Sequence, residues 1–121
     1  MLFDKIITLS LNPVADITLY VDGFIMGSDN NVTNELYDSA GKAVDVSRVL
    51  QSYELANTAL IVAGQENSKR YFERLNDEHV RTRVILAPGR MRENISIVTP
   101  DGTFTRLIRK SPKIRQRTID E

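Results

Sequence analysis

Apolar and polar positions along this chain follow two rhythms, and the switches between them mark its elements. Ile6-Ile7-Thr8-Leu9-Ser10-Leu11 is rich in β-branched and apolar residues and predicts a buried strand. Asn12-Pro13 ends it, because the residue before proline avoids helix and asparagine favours turns. Ile17, Leu19 and Val21 alternate with Thr18, Tyr20 and Asp22, the pattern of a half-buried strand. Gly23 and the Gly27-Ser28-Asp29-Asn30 cluster turn the chain, and residues 32–37 predict a returning strand. The rhythm then becomes helical: Val46, Val49, Leu50 and Tyr53 fall at i, i+3, i+4 and i+7 and mark one apolar helix face. Residues 58–63 are continuously apolar and end at Gly64, which fits a central parallel strand. Residues 68–78 are polar except for Tyr71, Phe72 and Leu75 on one side, a surface helix lying on a sheet. Residues 80–86 read as a further strand. After Pro88-Gly89, residues 93–99 and 103–108 flank Pro100-Asp101-Gly102, a strong hairpin signal.

That order of elements predicts an α/β fold, mostly a parallel sheet with helices, plus a smaller β layer. No internal repeat or low-complexity block occurs. Residues 1–110 form one folded unit, and residues 111–121, where periodicity fails, read as a tail or linker.

The chemistry concentrates in residues 39–50. Ser39-Ala40-Gly41 reads as a small-residue turn running into the helix. Ala40 and Gly41 permit close approach of a ligand to the backbone. The helix that follows aims free N–H groups and its positive dipole end at that turn, and Lys42 adds a full charge. The combination suits a small anionic or hydroxyl-rich ligand, although a plain strand-to-helix connection has the same appearance. Neither a Walker A loop nor a Gly-x-Gly-x-x-Gly fingerprint is present. Asp16 follows the first strand at its carboxyl end, where open α/β sheets bind ligands. As a pure acceptor it suits a polyol, and it is equally at home as a solvated turn residue.

Composition narrows the field. The 121 residues suffice for one domain, and a formal net charge of zero predicts no polyanionic partner. There is no cysteine, so no disulfide framework and no thiolate metal site, and a reducing cytoplasm is the simplest home. His79 is the only histidine, which argues against a metal centre. No signal-peptide pattern or membrane-spanning apolar run is seen, and the Asn31-Val32-Thr33 and Asn94-Ile95-Ser96 acceptor patterns read as chance. Charge is uneven: up to Gly41 six acids face only Lys5, whereas Arg106, Arg109, Lys110, Lys113, Arg115 and Arg117 precede the next acid. A nucleic-acid role for that tail lacks the interleaved aromatics it would need.

Ala40, Gly41, Lys42, Val46, Ser47 and Arg48 resemble the signature of the PfkB family of ribokinase-like sugar kinases, Gly-Gly-Lys-Gly-x-Asn-Val-Ala/Ser-Arg. Within that family they resemble the 1-phosphofructokinase and tagatose-6-phosphate kinase branch. Leu11, Asn12, Pro13 and Asp16 match a Leu-Asn-Pro-x-x-Asp element, and Arg92 with Asn94 an Arg-x-Asn element. Two positions depart: Ala43 replaces a glycine and Asp45 an asparagine. The resemblance implies the N-terminal part of an incomplete ribokinase-like fold, with β-lid strands at about 17–37 and 93–108. It implies a substrate site of Asp16, Gly41, Lys42, Asp45 and Arg92, with Asp16 on sugar hydroxyls and Arg92 on the phosphate. The ligand would be a sugar phosphate of the fructose 1-phosphate or tagatose 6-phosphate class, and the complete enzyme would use ATP and Mg²⁺. The Gly-Ala-Gly-Asp motif that carries the family's catalytic base and anion hole does not occur here. No catalytic, cofactor-binding or metal residues are therefore expected, and no ATP-dependent activity is expected from this chain alone. A homodimer is expected, through the lid or an open sheet edge. Tyr20, Phe24, Ile25 and Met26 fit either a lid contact or ordinary core. The alternative to a kinase portion is a non-catalytic homologue acting as a binding or dimerisation module.

Overall fold

The computed structural model describes residues 6–111. The expected tail at 112–121 lies outside the described residues. Among the described residues nine elements follow in order: β1 (Ile6–Ser10), β2 (Val14–Val21), β3 (Val32–Ala40), α1 (Lys42–Ser52), β4 (Asn57–Gly64), α2 (Lys69–Asp77), β5 (Thr82–Ala87), β6 (Arg92–Val98) and β7 (Phe104–Leu107).

The strands form two sheets. One is parallel, in the order β1-β4-β5, so the continuously apolar segment is indeed the central strand. The other is mixed, in the order β3-β2-β6-β7. Within it β2 runs antiparallel to β3 and parallel to β6, and β6 turns back into β7. Both expected hairpins form, at the glycine-containing turns that specify them.

The core joins the two layers. Ala59, Ile61 and Ala63 of β4 meet Val44 of α1, Tyr71 and Leu75 of α2, and Ala15 of β2, with Val80 and Met91 completing the cluster. α2 behaves as its pattern predicts: Tyr71 and Leu75 are fully buried and Phe72 packs beside them. Where β4 ends, Gly64 passes so close to the next loop that a Cβ would lie 2.4 Å from the Met91 amide nitrogen. Only glycine permits that approach.

Three expectations need correction. The Ser39-Ala40 segment is not a turn but the buried end of β3, paired with Ala15 and Val14. Small side chains are needed there because α2 lies over them. The Ser39 hydroxyl donates to the Tyr71 carbonyl at 2.8 Å, and the Tyr71 hydroxyl donates to the Ala40 carbonyl at 2.7 Å. The turn is Gly41 alone, whose φ of 135° lies in the region that favours glycine. Second, β2 starts at Val14 rather than at Ile17, because Val14 and Ala15 continue the ladder to β3 and β6. Third, the apolar stripe of α1 does not face the core. Val46, Val49 and Tyr53 are 50%, 55% and 73% exposed, and the helix sits on the sheet through Val44 and Ser47. Phe24, Ile25 and Met26 are exposed as well and are not core residues.

Candidate functional site

Register places the site. Asp16 on β2 lies between Asp38 of β3 and Asn94 of β6, and Arg92 lies beside Val14. Side chains two apart on a strand share a face, so Asp16, Asp38, Arg92 and Asn94 lie on one face of the mixed sheet. Arg106 joins them, because β7 pairs it with Ser96. That face forms one wall of a cleft of about 620 Å³. The carboxyl end of β1 forms a second wall, with Leu9, Ser10, Leu11 and Asn12. The first turn of α1 forms the third, with Gly41, Lys42, Ala43 and Asp45. The five residues singled out in the sequence, Asp16, Gly41, Lys42, Asp45 and Arg92, thus line one cleft.

The polar atoms in this cleft are unevenly satisfied. Among the described residues, the buried Oδ1 atom of Asp16 has no hydrogen-bond partner, and neither has the buried Nε atom of Arg92. One is an acceptor and the other a donor. The Arg106 guanidinium reaches to 3.9 Å of Asp16 Oδ1, too far for a hydrogen bond. Burial pushes the Asp16 carboxyl above the usual carboxylate range, and Arg106 only partly opposes that shift. At the third wall, Gly41 is the N-cap of α1 and provides no side-chain cap. The first N–H groups of the helix therefore stay available to a ligand.

Behind Asp45 stands Arg48, which the sequence reading left outside the site. Its Nη1 donates to Asp45 Oδ1 at 3.0 Å and its Nε to Glu78 Oε2 at 2.8 Å. Its Nη2 donates to the Ser39 carbonyl at 2.7 Å and to Asp38 Oδ1 at 3.3 Å. Burial lowers its basicity, but the Glu78 hydrogen bond and the surrounding carboxylates outweigh that and hold the guanidinium charged.

Asn12 and Asn94, read only as parts of the two family elements, and Arg106 were also left outside the site. The Asn12 amide donates to the Ser111 hydroxyl at 2.9 Å, and Asn94 Oδ1 accepts from the Arg109 amide at 3.2 Å. Residues 109–111 thereby return beside the cleft, bringing part of the basic segment with them. The Pro100-Asp101-Gly102 turn fixes Arg106 opposite Ser96, so half of that placement was readable. The parallel pairing of β2 with β6 was not. Among the described residues, no group of three or more His, Cys, Asp or Glu side chains is arranged to hold a metal ion. Among them, too, no helix is long and apolar enough to cross a membrane.

No protein-family model matches the chain. Against curated proteins it is 30% identical over 98 residues to a 1-phosphofructokinase of Bacillus subtilis, a match covering 81% of this chain and 32% of the relative. It is 27% identical over 116 residues to a tagatose-6-phosphate kinase of Staphylococcus epidermidis, covering 96% of this chain and 37% of the relative. The chain thus spans about a third of the length of the curated relatives it matches. Among solved structures, a Staphylococcus aureus protein assigned as a phosphofructokinase superposes with a TM-score of 0.88 at 26% identity. That match covers 95% of this chain and 37% of the other. Phosphofructokinase-2 of Escherichia coli, in complex with fructose-6-phosphate, superposes with a TM-score of 0.82 at 20% identity over 96% of this chain and 39% of its own, a likeness of fold alone. The two sheets and helices reproduce part of the ribokinase-like fold.

Proposed function

The chain is a partial homologue of the PfkB family of ribokinase-like sugar-phosphate kinases, and from that premise we propose that its cleft is the sugar-phosphate-binding portion of a ketohexose-phosphate kinase. One observation carries the reading. Asp16 and Arg92, whose buried Oδ1 acceptor and Nε donor have no hydrogen-bond partner among the described residues, line the same cleft as an uncapped helix N-terminus. Unsatisfied buried polar atoms are costly, and a ligand that brings both a hydroxyl and an anion relieves both. In this reading Asp16 accepts from a sugar hydroxyl. Arg92, Lys42 and the Gly41 turn take the phosphate of fructose 1-phosphate or a tagatose 6-phosphate-like sugar. Asp45 closes the third wall.

Phosphoryl transfer needs a hydroxyl, the donor phosphate and a metal held in line, with a base beside the hydroxyl. ATP with Mg²⁺ would supply the transferable phosphoryl group in the complete family enzyme. The Gly-Ala-Gly-Asp motif that carries the base and anion hole in that family does not occur in this sequence. This chain's residues bind and orient the sugar, and no phosphorylation by the chain alone is expected. The test titrates fructose 1-phosphate into the protein by NMR and, in parallel, measures ADP release with ATP, Mg²⁺ and the same sugar. Weak saturable binding, reduced about tenfold or more by Asp16→Ala or Arg92→Met, is expected without turnover. No binding at all, or turnover that Asp16→Ala abolishes, would overturn the reading.

A second reading, a non-catalytic binding or dimerisation module, is favoured by exposed apolar surface. Ile7 and Leu9 of β1 and Leu11 just beyond it are 64%, 56% and 47% exposed, and Phe24, Ile25 and Met26 form a second group. Among the described residues β1 and β5 each pair on one side only. In both readings the protein forms a homodimer, through the mixed sheet or an open edge. Sedimentation showing a monomer across a wide concentration range would refute it.

A further inference from the structure

An acid in the first turn of a helix is usually favourable, because it answers the positive end of the dipole. At this cleft it is a liability. Asp45 lines the same wall as Gly41 and Lys42, so an ionised carboxylate there competes with an incoming anion for the same positive potential. The sequence nevertheless holds a carboxylate at that position, and the structure shows what surrounds it.

Arg48 lies one turn further along α1 and grips Asp45 Oδ1 through Nη1 at 3.0 Å. The same guanidinium is fixed by the Ser39 carbonyl at 2.7 Å and by Glu78 at 2.8 Å, so it cannot swing away. Glu78 does not consume the whole charge, because Arg74 also pairs with it at 3.3 Å. Asp38, at 3.3 Å and mostly exposed, is the remaining claimant. The Arg48 side chain is only 25% exposed, whereas that of Asp45 is 66% exposed. The arginine is the anchored partner and the aspartate the one it holds.

We propose that Arg48 is a positioning residue of the cleft: it draws the Asp45 carboxylate toward the α1–β3–α2 junction and offsets its charge, which leaves the helix N-terminus and Lys42 to a phosphate-bearing ligand. The proposal rests on the reading of the cleft as a sugar-phosphate site. It makes the cost of a carboxylate at position 45 depend on Arg48, and that dependence is measurable. A guanidinium holding acceptors on four residues at once is not replaced by a neutral side chain.

The experiment is a double-mutant cycle on the intact chain, with fructose 1-phosphate as the probe and binding followed by NMR titration. Asp45→Asn is expected to tighten binding about threefold when Arg48 is present. In the Arg48→Met background the same change is expected to tighten binding about thirtyfold. The tenfold difference corresponds to a coupling of ~1.4 kcal/mol. If the methionine variant does not fold, Arg48→Gln, which keeps an amide donor for the Ser39 carbonyl, takes its place with the same expected factor. A purely architectural Arg48 would weaken binding equally with either side chain at position 45, and equal factors in the two backgrounds overturn the proposal. Absence of binding in the unmodified protein and in Asp45→Asn alike would instead refute the sugar-phosphate reading, and the proposal would fall with it.

Discussion

The two helices of this fold obey the same periodicity and use it in opposite ways. In α2 the apolar residues Tyr71 and Leu75 point inward and are fully buried, while Lys69, Arg70 and Arg74 stay outside. In α1 the longer apolar stripe of Val46, Val49 and Tyr53 points outward, and the helix rests on the sheet through Val44 and a polar residue, Ser47. The Ser47 hydroxyl is satisfied by Thr8 Oγ1 at 2.6 Å, so its burial carries little penalty. Periodicity reports which side of a helix is apolar. It does not report which neighbour covers that side. For α2 the neighbour lies within the described residues, and for α1 the sheet takes the other face.

The contrast can be broken at several points. The largest effect is expected for Leu75→Ala, which empties a fully buried position in α2 and should cost about 2–5 kcal/mol in urea unfolding. A loss below about 1 kcal/mol would mean that α2 is not the packed helix described above. Next comes Tyr71→Phe. It leaves the ring in place and strips the Ala40 carbonyl of its 2.7 Å donor, so a loss of about 1–3 kcal/mol is expected. Because Ala40 adjoins the Gly41 turn, this variant should also weaken fructose 1-phosphate binding in the same titration. Val49→Ser, on the outward stripe of α1, should change stability by no more than about 0.5 kcal/mol. A large loss there would show that something covers the stripe in solution.

The smallest effect concerns pH. Burial raises the folded-state value of Asp16 above its unfolded one, so the folded protein holds the proton more tightly. This group's contribution to stability therefore falls as pH rises from about the ordinary carboxylate value through the raised one, and is flat above it. Asp16→Asn should remove that slope, visible as the difference between two urea-midpoint curves over the acid range. A difference curve that rises with pH would have the wrong sign for a desolvated carboxylate.

Much of the architecture was legible because local signals were strong. Pro100-Asp101-Gly102 and the Gly27-Ser28-Asp29-Asn30 cluster set the hairpins, and an unbroken apolar run marked β4 as central. The strand ends at Val14 and Ala40 were misread because Asn12-Pro13 and Ser39-Ala40-Gly41 look like turns, whereas tertiary cover decides whether small residues are strand or loop. The cleft residues were found through local elements matched to a family. What brings Asp16 and Arg92 together is a parallel pairing between distant strands, and no local pattern encodes it. Arg48 was passed over because its value lies largely in Asp38, the Ser39 carbonyl and Glu78, acceptors that only the assembled fold brings within its reach.

That same pairing bears on how the molecule comes into being. β2 and its parallel partner β6 are separated by most of the described residues, with Asp16 opposite Asn94. Closing so long a loop is entropically expensive, and contacts of this separation slow folding. On a ribosome the β2–β3 hairpin and the β1–α1–β4 unit can form while β6 is still within the exit tunnel. The Arg92 wall of the cleft is added only when β6 pairs with β2. Until β6 emerges, one edge of β2 stays unpaired, and that is the interval in which the nascent chain is most exposed to misassociation with other chains.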